Sequence, residues 1–188
     1  MAVLTCIALV LRLTGLEAQS LWRDEVDAIR FATRPLADLL HTFVEPGQNG
    51  PLYFLLLRVW LALTGDSAFS LRYLSVLAGA LAVPLIWLLA RRLLPRLPDL
   101  ALWAALLAAT SPYLVWYGQE GKMYALVIVL ALLSMERLLT AMQRDGWQRW
   151  LAYVGVTSAA FYVHLLAALL VPAQVVAFLS LLCRECRD

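Results

Sequence analysis

Charge is what this chain has least of. Only 15% of its 188 residues are Asp, Glu, Lys or Arg, while 63% are hydrophobic and the mean hydropathy is +0.78. A soluble domain carries about a quarter charged residues, so the composition excludes one and describes an integral membrane protein. The net charge of +2 comes with no basic run, which excludes a nucleic-acid partner. Histidine occurs twice and cysteine three times. Cys183 and Cys186 stand at C-x-x-C spacing, but no second Cys/His pair completes a zinc site, and a chance pair at the end of a span is the plainer reading. No internal repeat is visible, which argues against a transporter built from inverted repeats. No basic region precedes the apolar Ala2–Val10 stretch and no small-residue cleavage site follows it, so it reads as a short first span rather than a signal peptide.

What is present is apolar span and short connection. The pattern predicts an all-α integral membrane protein with about six transmembrane helices. The spans are expected over 2–16, 70–90, 100–117 and 123–141, with 150–182 folded into two. At about 1.5 Å per residue that last stretch would measure about 50 Å against a hydrocarbon core of about 30 Å, so it turns back near His164. Residues 17–69 form a long first external loop. Within it, Thr33-Arg34-Pro35 reads as a helix start, and Leu36, Leu39, Leu40 and Phe43 recur at helical spacing, which describes an amphipathic helix lying on the membrane. Pro51 to Leu63 is too short to span and is broken by Arg58, so it reads as interfacial. Arg91, Arg92, Arg96, Arg137, Arg144, Arg149, Arg184 and Arg187 then fall on one side and Lys122 on the other, a positive-inside pattern. It brings Asp24, Glu25, Arg72, Gln119, Glu120, Lys122 and His164 to one external face.

The chain is organised around Ser20-Leu21-Trp22-Arg23-Asp24-Glu25-Val26-Asp27. Adjacent carboxylates at a membrane edge are costly unless they cap a helix or perform chemistry. Asp24 suits an N-cap, with Asp27 reaching back toward it. That reading explains Asp24 and Asp27 but not Glu25, and leaves Asp24 and Glu25 as candidate catalytic groups. Arg12, inside the first span, either snorkels to the headgroups or faces a cavity as a cation for a carboxylate or lipid phosphate. Gln119 and Glu120 form a tight polar connection, where they can cap the turn between the third and fourth spans.

These residues form a pattern. Arg12 followed by Ser20-Leu21-Trp22-Arg23-Asp24-Glu25 resembles the opening of the GT-C superfamily of polyprenyl-phosphate-sugar glycosyltransferases. More narrowly, it resembles the protein O-mannosyltransferase-like family 39 and the RgtA/B/C/D-like enzymes. Gly50-Pro51-Leu52-Tyr53 stands where that family shows His-Pro-Pro-Leu-Tyr. The stretch from Gly65 through Ser67, Leu71-Arg72 and Ser75 to Gly79 is similar to its G-x-S-x-x-x-L-R-x-x-S-x-x-x-G segment. Ser111-Pro112 with Tyr117-Gly118-Gln119-Glu120-Gly121-Lys122-Met123-Tyr124 is similar to its S-P…Y-x-Q-E-x-R-M-Y segment, and Tyr162-Val163-His164 to its Y-x-H. Asn49-Gly50 replaces the family's His-Pro, and Lys122 replaces an Arg, keeping charge but losing the bidentate fork. By length, 1–188 corresponds to the N-terminal transmembrane part of such an enzyme, with the C-terminal portion missing.

The resemblance implies inverting transfer of a sugar from a polyprenyl-phosphate donor to an external protein, lipid or glycan acceptor, in the bacterial inner membrane. It implies Asp24 as base with Glu25 as alternate or orienter. Arg12, Arg72 and Lys122 would serve the leaving phosphate, and Gln119, Glu120, Tyr124 and His164 would contact substrate. No cofactor is expected; a divalent metal at Asp24/Glu25 is the variant of that reading, without a supporting ligand cluster. The rival class is a catalytically inactive membrane protein that binds a lipid carrier or serves as an assembly or flippase-like partner.

Overall fold

A computed structural model describes residues 1–45 and 47–185, with side chains through Ser180; the Cys183/Cys186 pair therefore lies outside the described side chains. The described residues are helical, with no strand. In chain order the helices are α1 (Ala2–Leu13), α2 (Arg23–Ala32), α3 (Leu36–His41), α4 (Pro51–Thr64), α5 (Ala68–Leu93), α6 (Pro98–Thr110), α7 (Pro112–Gln119), α8 (Tyr124–Gln143), α9 (Trp147–Val163) and α10 (Leu170–Glu185), with a 3-10 turn, Leu165–Leu169, before the last.

Helix α5 is the central post. Ser67 caps its first turn by accepting from the Ser70 amide at 3.1 Å. One face is mostly small: Ser75, Gly79, Ala80, Ala82 and Val83 are buried. Such residues let neighbouring helices approach closely inside a membrane, where van der Waals packing replaces the hydrophobic drive. Val83 accordingly packs with Ala8 of α1 and Ala105, Ala108 and Ala109 of α6. A second, bulkier core lies toward the start of α5. There Tyr53, Leu57 and Leu61 of α4, spaced four apart on one helix face, meet Ala28, Ala32, Leu71, Met123 and Val163.

Helices stand where the spans were expected, but not all as expected. By length and composition α5 and α8 suffice to cross a membrane, and α1 and residues 165–180 are shorter apolar helices. The third expected span, 100–117, is two helices. It bends by 51° between α6 and α7, because Pro112 has no N–H to offer the Ala108 carbonyl one turn earlier and Ser111 starts a new helix by capping Leu114. The turn-back near His164 is found. Tyr153 before it donates to Gln174 after it at 2.8 Å, and Gln174 donates to Ser134 of α8 at 2.7 Å, so the chain after His164 folds back toward α8.

Helix α4 lies across one end of this assembly. Near its start Tyr53 donates to the Gly121 carbonyl; near its end Trp60 donates to the Ser70 carbonyl and Ser70 to that of Thr64. Both ends thus touch the same end of the bundle. Its 14 residues measure about 21 Å at 1.5 Å per residue, short of the hydrocarbon thickness.

Candidate active site

The site is built on the first turn of α2. The helix begins two residues earlier than the Asp24 cap reading requires: Trp22 is the N-cap and Asp24 lies inside the turn. The residue that reaches back is Glu25, whose Oε2 accepts from the Trp22 amide at 3.1 Å. Capping therefore explains Glu25, the carboxylate it had left over, and Asp24 is spared. Asp27 pairs with Arg30 at the surface at 3.7 Å.

Glu25 does more than cap. It is 3% exposed. Its Oε1 accepts from Arg72 Nε at 2.9 Å and from the Gly121 amide at 2.8 Å, and its Oε2 accepts from an Arg72 terminal nitrogen at 2.7 Å. Four donors thus fill the roughly four acceptor positions of a carboxylate. Burial by itself would raise its pKa. The Arg72 hydrogen bonds, the Gly121 and Trp22 amides and the Arg72 charge outweigh burial and hold the carboxyl below the ordinary glutamate value.

Arg72 is equally committed. Besides its fork to Glu25 it donates to the carbonyls of Leu16, Gln19 and Ser20 at 2.6, 2.9 and 3.2 Å. Those five contacts use all five guanidinium donors. Arg72 therefore ties α5 to the segment after α1 and to α2, with no donor left over for a phosphate.

The Glu120–Lys122 turn is pinned from three elements. Glu25 holds the Gly121 amide, the Tyr53 hydroxyl donates to the Gly121 carbonyl at 3.0 Å, and the Ser75 hydroxyl donates to the Lys122 carbonyl at 3.1 Å. Burial, then the Glu25 charge, push the Tyr53 phenol upward, keeping it a neutral donor. Gly121 is required by contact: a Cβ there would stand 2.5 Å from Leu71 and 3.1 Å from Glu25 Oε1. Gly121, Tyr53 and Ser75 were not singled out from the sequence. The only signals were the glycine inside Gln119-Glu120-Gly121-Lys122 and the positions of Tyr53 and Ser75 in the family-like segments.

On this frame sits one uncommitted carboxylate. The Asp24 side chain is 75% exposed, with Oδ2 3.4 Å from Lys122 Nζ. The two line a depression of about 210 Å³ with Trp22, Glu25, Tyr117, Glu120 and Tyr124. A neighbouring depression of about 110 Å³ is lined by Leu16, Gln19, Arg72, Trp116 and Gln119, and shares Trp22, Glu25 and Glu120 with the first. Asp24 and Arg72 thus line adjoining hollows with Glu25 between them. Both hollows are smaller than the roughly 300 Å³ of a drug-sized pocket, so a long lipid chain has to lie outside them.

The other candidates separate into frame and rim. Gln119 caps neither of its own neighbours. Its amide donates to the carbonyls of Leu11, Arg12 and Thr14 at 3.4, 3.2 and 2.8 Å, closing the end of α1. Arg12 is 1% exposed and lines neither hollow. It threads between Gly79 and Gly118 and donates to Ala8, Ala108 and Ala109, two of these being carbonyls at the α6–α7 break. At the rim, Glu120 accepts from Trp116 at 2.8 Å, and Tyr124 stands 6.0 Å from the His164 ring. His164 Nδ1 accepts from Leu166, and Asn49, at the family's histidine position, accepts from Leu165 at 3.0 Å. Among the described residues no three His, Cys, Asp or Glu side chains converge on one point. With Glu25 saturated, a metal at this place would have Asp24 as its only free carboxylate of the pair.

No curated protein and no solved structure matches the chain significantly. The sequence profile of the dolichyl-phosphate-mannose-protein mannosyltransferase family, however, matches residues 46–186. The matched part contains Arg72, the Gln119–Tyr124 turn and His164; Arg12, Asp24 and Glu25 precede it. A match over well more than half of the chain, on a helical membrane fold, places this protein in the dolichyl-phosphate-mannose-protein mannosyltransferase family, a family of GT-C-type membrane glycosyltransferases.

Proposed function

We propose that the chain carries the catalytic face of an inverting glycosyltransferase that moves a sugar from a polyprenyl-phosphate donor to an acceptor hydroxyl on the external side of the bacterial inner membrane. One observation carries this reading: a saturated Glu25–Arg72 pair holds an unsaturated Asp24–Lys122 pair at the surface of a hollow. Asp24 is the base that takes the acceptor proton. Lys122 meets the phosphate as negative charge develops on it. Glu25 and Arg72 position them, Glu25 through its simultaneous hold on α2 and on Gly121. Glu120, Tyr124 and His164 contact the substrates from the rim.

In an inverting reaction, base and leaving group flank one carbon. At 3.4 Å Asp24 and Lys122 leave no room for it, so the donor enters by drawing the Lys122 ammonium away on its flexible stem. The lipid chain lies outside, along apolar surface such as the exposed Leu56, Val59 and Leu63 of α4. The six crossings, and the external placement of this face, rest on the arginine asymmetry.

The test is transfer from a radiolabelled polyprenyl-phosphate sugar in membranes containing Asp24→Asn. We expect loss of transfer, with expression and donor binding retained. Normal turnover by Asp24→Asn would remove Asp24 as base, because Asn has nearly the same shape and cannot accept the proton.

A further inference from the structure

Lys122 is held at its backbone and loose at its tip. Its amide donates to the Glu120 carbonyl at 2.8 Å. The carbonyl before it, that of Gly121, accepts from the Tyr53 hydroxyl at 3.0 Å, and its own carbonyl accepts from the Ser75 hydroxyl at 3.1 Å. Both peptide planes that flank Lys122 are therefore anchored. The residues on either side are buried as well, Gly121 close against Leu71 and Met123 in the core with Tyr53, Leu57 and Val163. The ammonium at the far end of the side chain has only the exposed Asp24, at 3.4 Å, as an ionic partner among the described residues.

The two hydroxyls come from side chains that do not meet the substrate. Tyr53 of α4 is 1% exposed and Ser75 of α5 3%, and neither lines the Asp24 hollow or its neighbour. A serine or threonine in a helix can return its hydroxyl to the carbonyl four residues earlier, as Thr5, Thr110 and Ser180 do in this chain. Ser75 instead reaches a residue 47 positions away. It stands three residues after Arg72, on the same buried face of α5. One helix face thus holds the turn twice: Arg72 through Glu25 to the Gly121 amide, and Ser75 directly to the Lys122 carbonyl.

We infer that Tyr53 and Ser75 are positioning residues for Lys122: they fix the base of its side chain, so that only the stem moves when the ammonium leaves Asp24 for the donor phosphate. The inference rests on the reading of Lys122 as the cation that meets that phosphate. Lysine is a point charge on a flexible stem, without the guanidinium's fork, so its direction has to be set from the backbone. Ordering such a side chain on a ligand costs conformational entropy. A loose turn would add backbone freedom to that cost and would let the ammonium drift from the reacting carbon. A hydroxyl that merely satisfied a buried carbonyl would stabilise the fold equally whatever residue stood at 122, and that difference can be measured.

The experiment is a double-mutant cycle read by binding. The probe is farnesyl phosphate, titrated calorimetrically into the full chain in lipid nanodiscs, with farnesol subtracting partition into the bilayer. Tyr53→Phe and Ser75→Ala each remove one oxygen and keep the packing. Lys122→Ala should weaken binding about tenfold, as the loss of a charged contact implies. Tyr53→Phe and Ser75→Ala should each weaken it about fivefold, the cost of ordering one more flexible side chain. In the Lys122→Ala background neither should weaken it further, because coupled residues are not additive. Unchanged binding in both hydroxyl variants, or the same fivefold loss with and without Lys122, would overturn the positioning role. Failure of both variants to fold would do so too, assigning the hydroxyls to the fold alone. If Lys122→Ala weakens binding and the hydroxyl variants do not, only the positioning falls. If Lys122→Ala leaves binding unchanged, the phosphate role of Lys122 falls and takes the positioning with it.

Discussion

At the scale of single residues, Asp24 and Glu25 are neighbours with opposite fates. Helical geometry turns adjacent side chains about 100° apart, so Glu25 points into the α5 contact and Asp24 out of it. Their substitutions should therefore separate. Glu25→Gln leaves the Arg72 guanidinium buried without its counter-charge, and breaking such a pair costs about 3–5 kcal/mol; we expect a marked drop in thermal midpoint in detergent. Asp24→Asn, at an exposed position, should change stability by no more than about 0.5 kcal/mol. Equal midpoints for the two variants would contradict the assignment of Glu25 as the positioning residue. Acid should act through the same group. A carboxyl whose folded pKa lies below its unfolded value of about 4.3 contributes stability that is complete above that value and is lost as pH falls through the folded pKa. Melting curves across that acid range should show this limb in the parent and lack it in Glu25→Gln.

At the scale of elements, three arginines in apolar surroundings perform one task, that of closing a helix end. Arg12 serves carbonyls freed at the α6–α7 break. Arg58 of α4 donates to the carbonyls of Ala32 and Arg34 at the end of α2, and Arg72 binds three carbonyls beyond α1. Unsatisfied carbonyls are costly in hydrocarbon, and a helix C-terminus carries partial negative charge, so a cation that reaches them offsets part of its own desolvation. The slot for Arg12 depends on two glycines: a Cβ at Gly118 would stand 2.8 Å from its Nε, and one at Gly79 2.7 Å. Gly118→Ala should therefore disturb the α1–α7 contact, lowering the yield of folded protein although alanine is the better helix former. Normal yield and melting of Gly118→Ala would show that the guanidinium can sit elsewhere.

At the scale of the whole molecule, the helices sort into two ends. Arg72, Gly121, Asn49 and His164 gather at one, while Arg92 of α5 pairs with Glu136 of α8 at 2.8 Å toward the other. A membrane placed between them, with the arginine-rich end in the cytoplasm, leaves residues 45 and 95 on opposite sides. Single cysteines at these positions, in a chain freed of Cys6, Cys183 and Cys186, should label with an impermeant maleimide from opposite faces. Labelling from the same face would mean an even number of crossings between them and would overturn the topology drawn from the arginines.

The amino-acid sequence determined the class of the molecule and the outline of its helices. Apolar run length, proline placement and arginine asymmetry are local signals that act wherever the chain meets a bilayer, so the α3 start and the turn at His164 were legible. The motif residues Asp24, Arg72, Glu120 and Lys122 were also legible as a group. Only the tertiary structure decided which of them are spent on the fold. Whether a carboxylate or guanidinium is available to a substrate depends on how many of its lone pairs or protons are already bonded, and the partners of Glu25 and Arg72 come from residues 16 to 121. The division of labour between Asp24 and Glu25 and the structural use of Gln119 and Arg12 are set by distances between segments far apart in the chain. No local pattern encodes them.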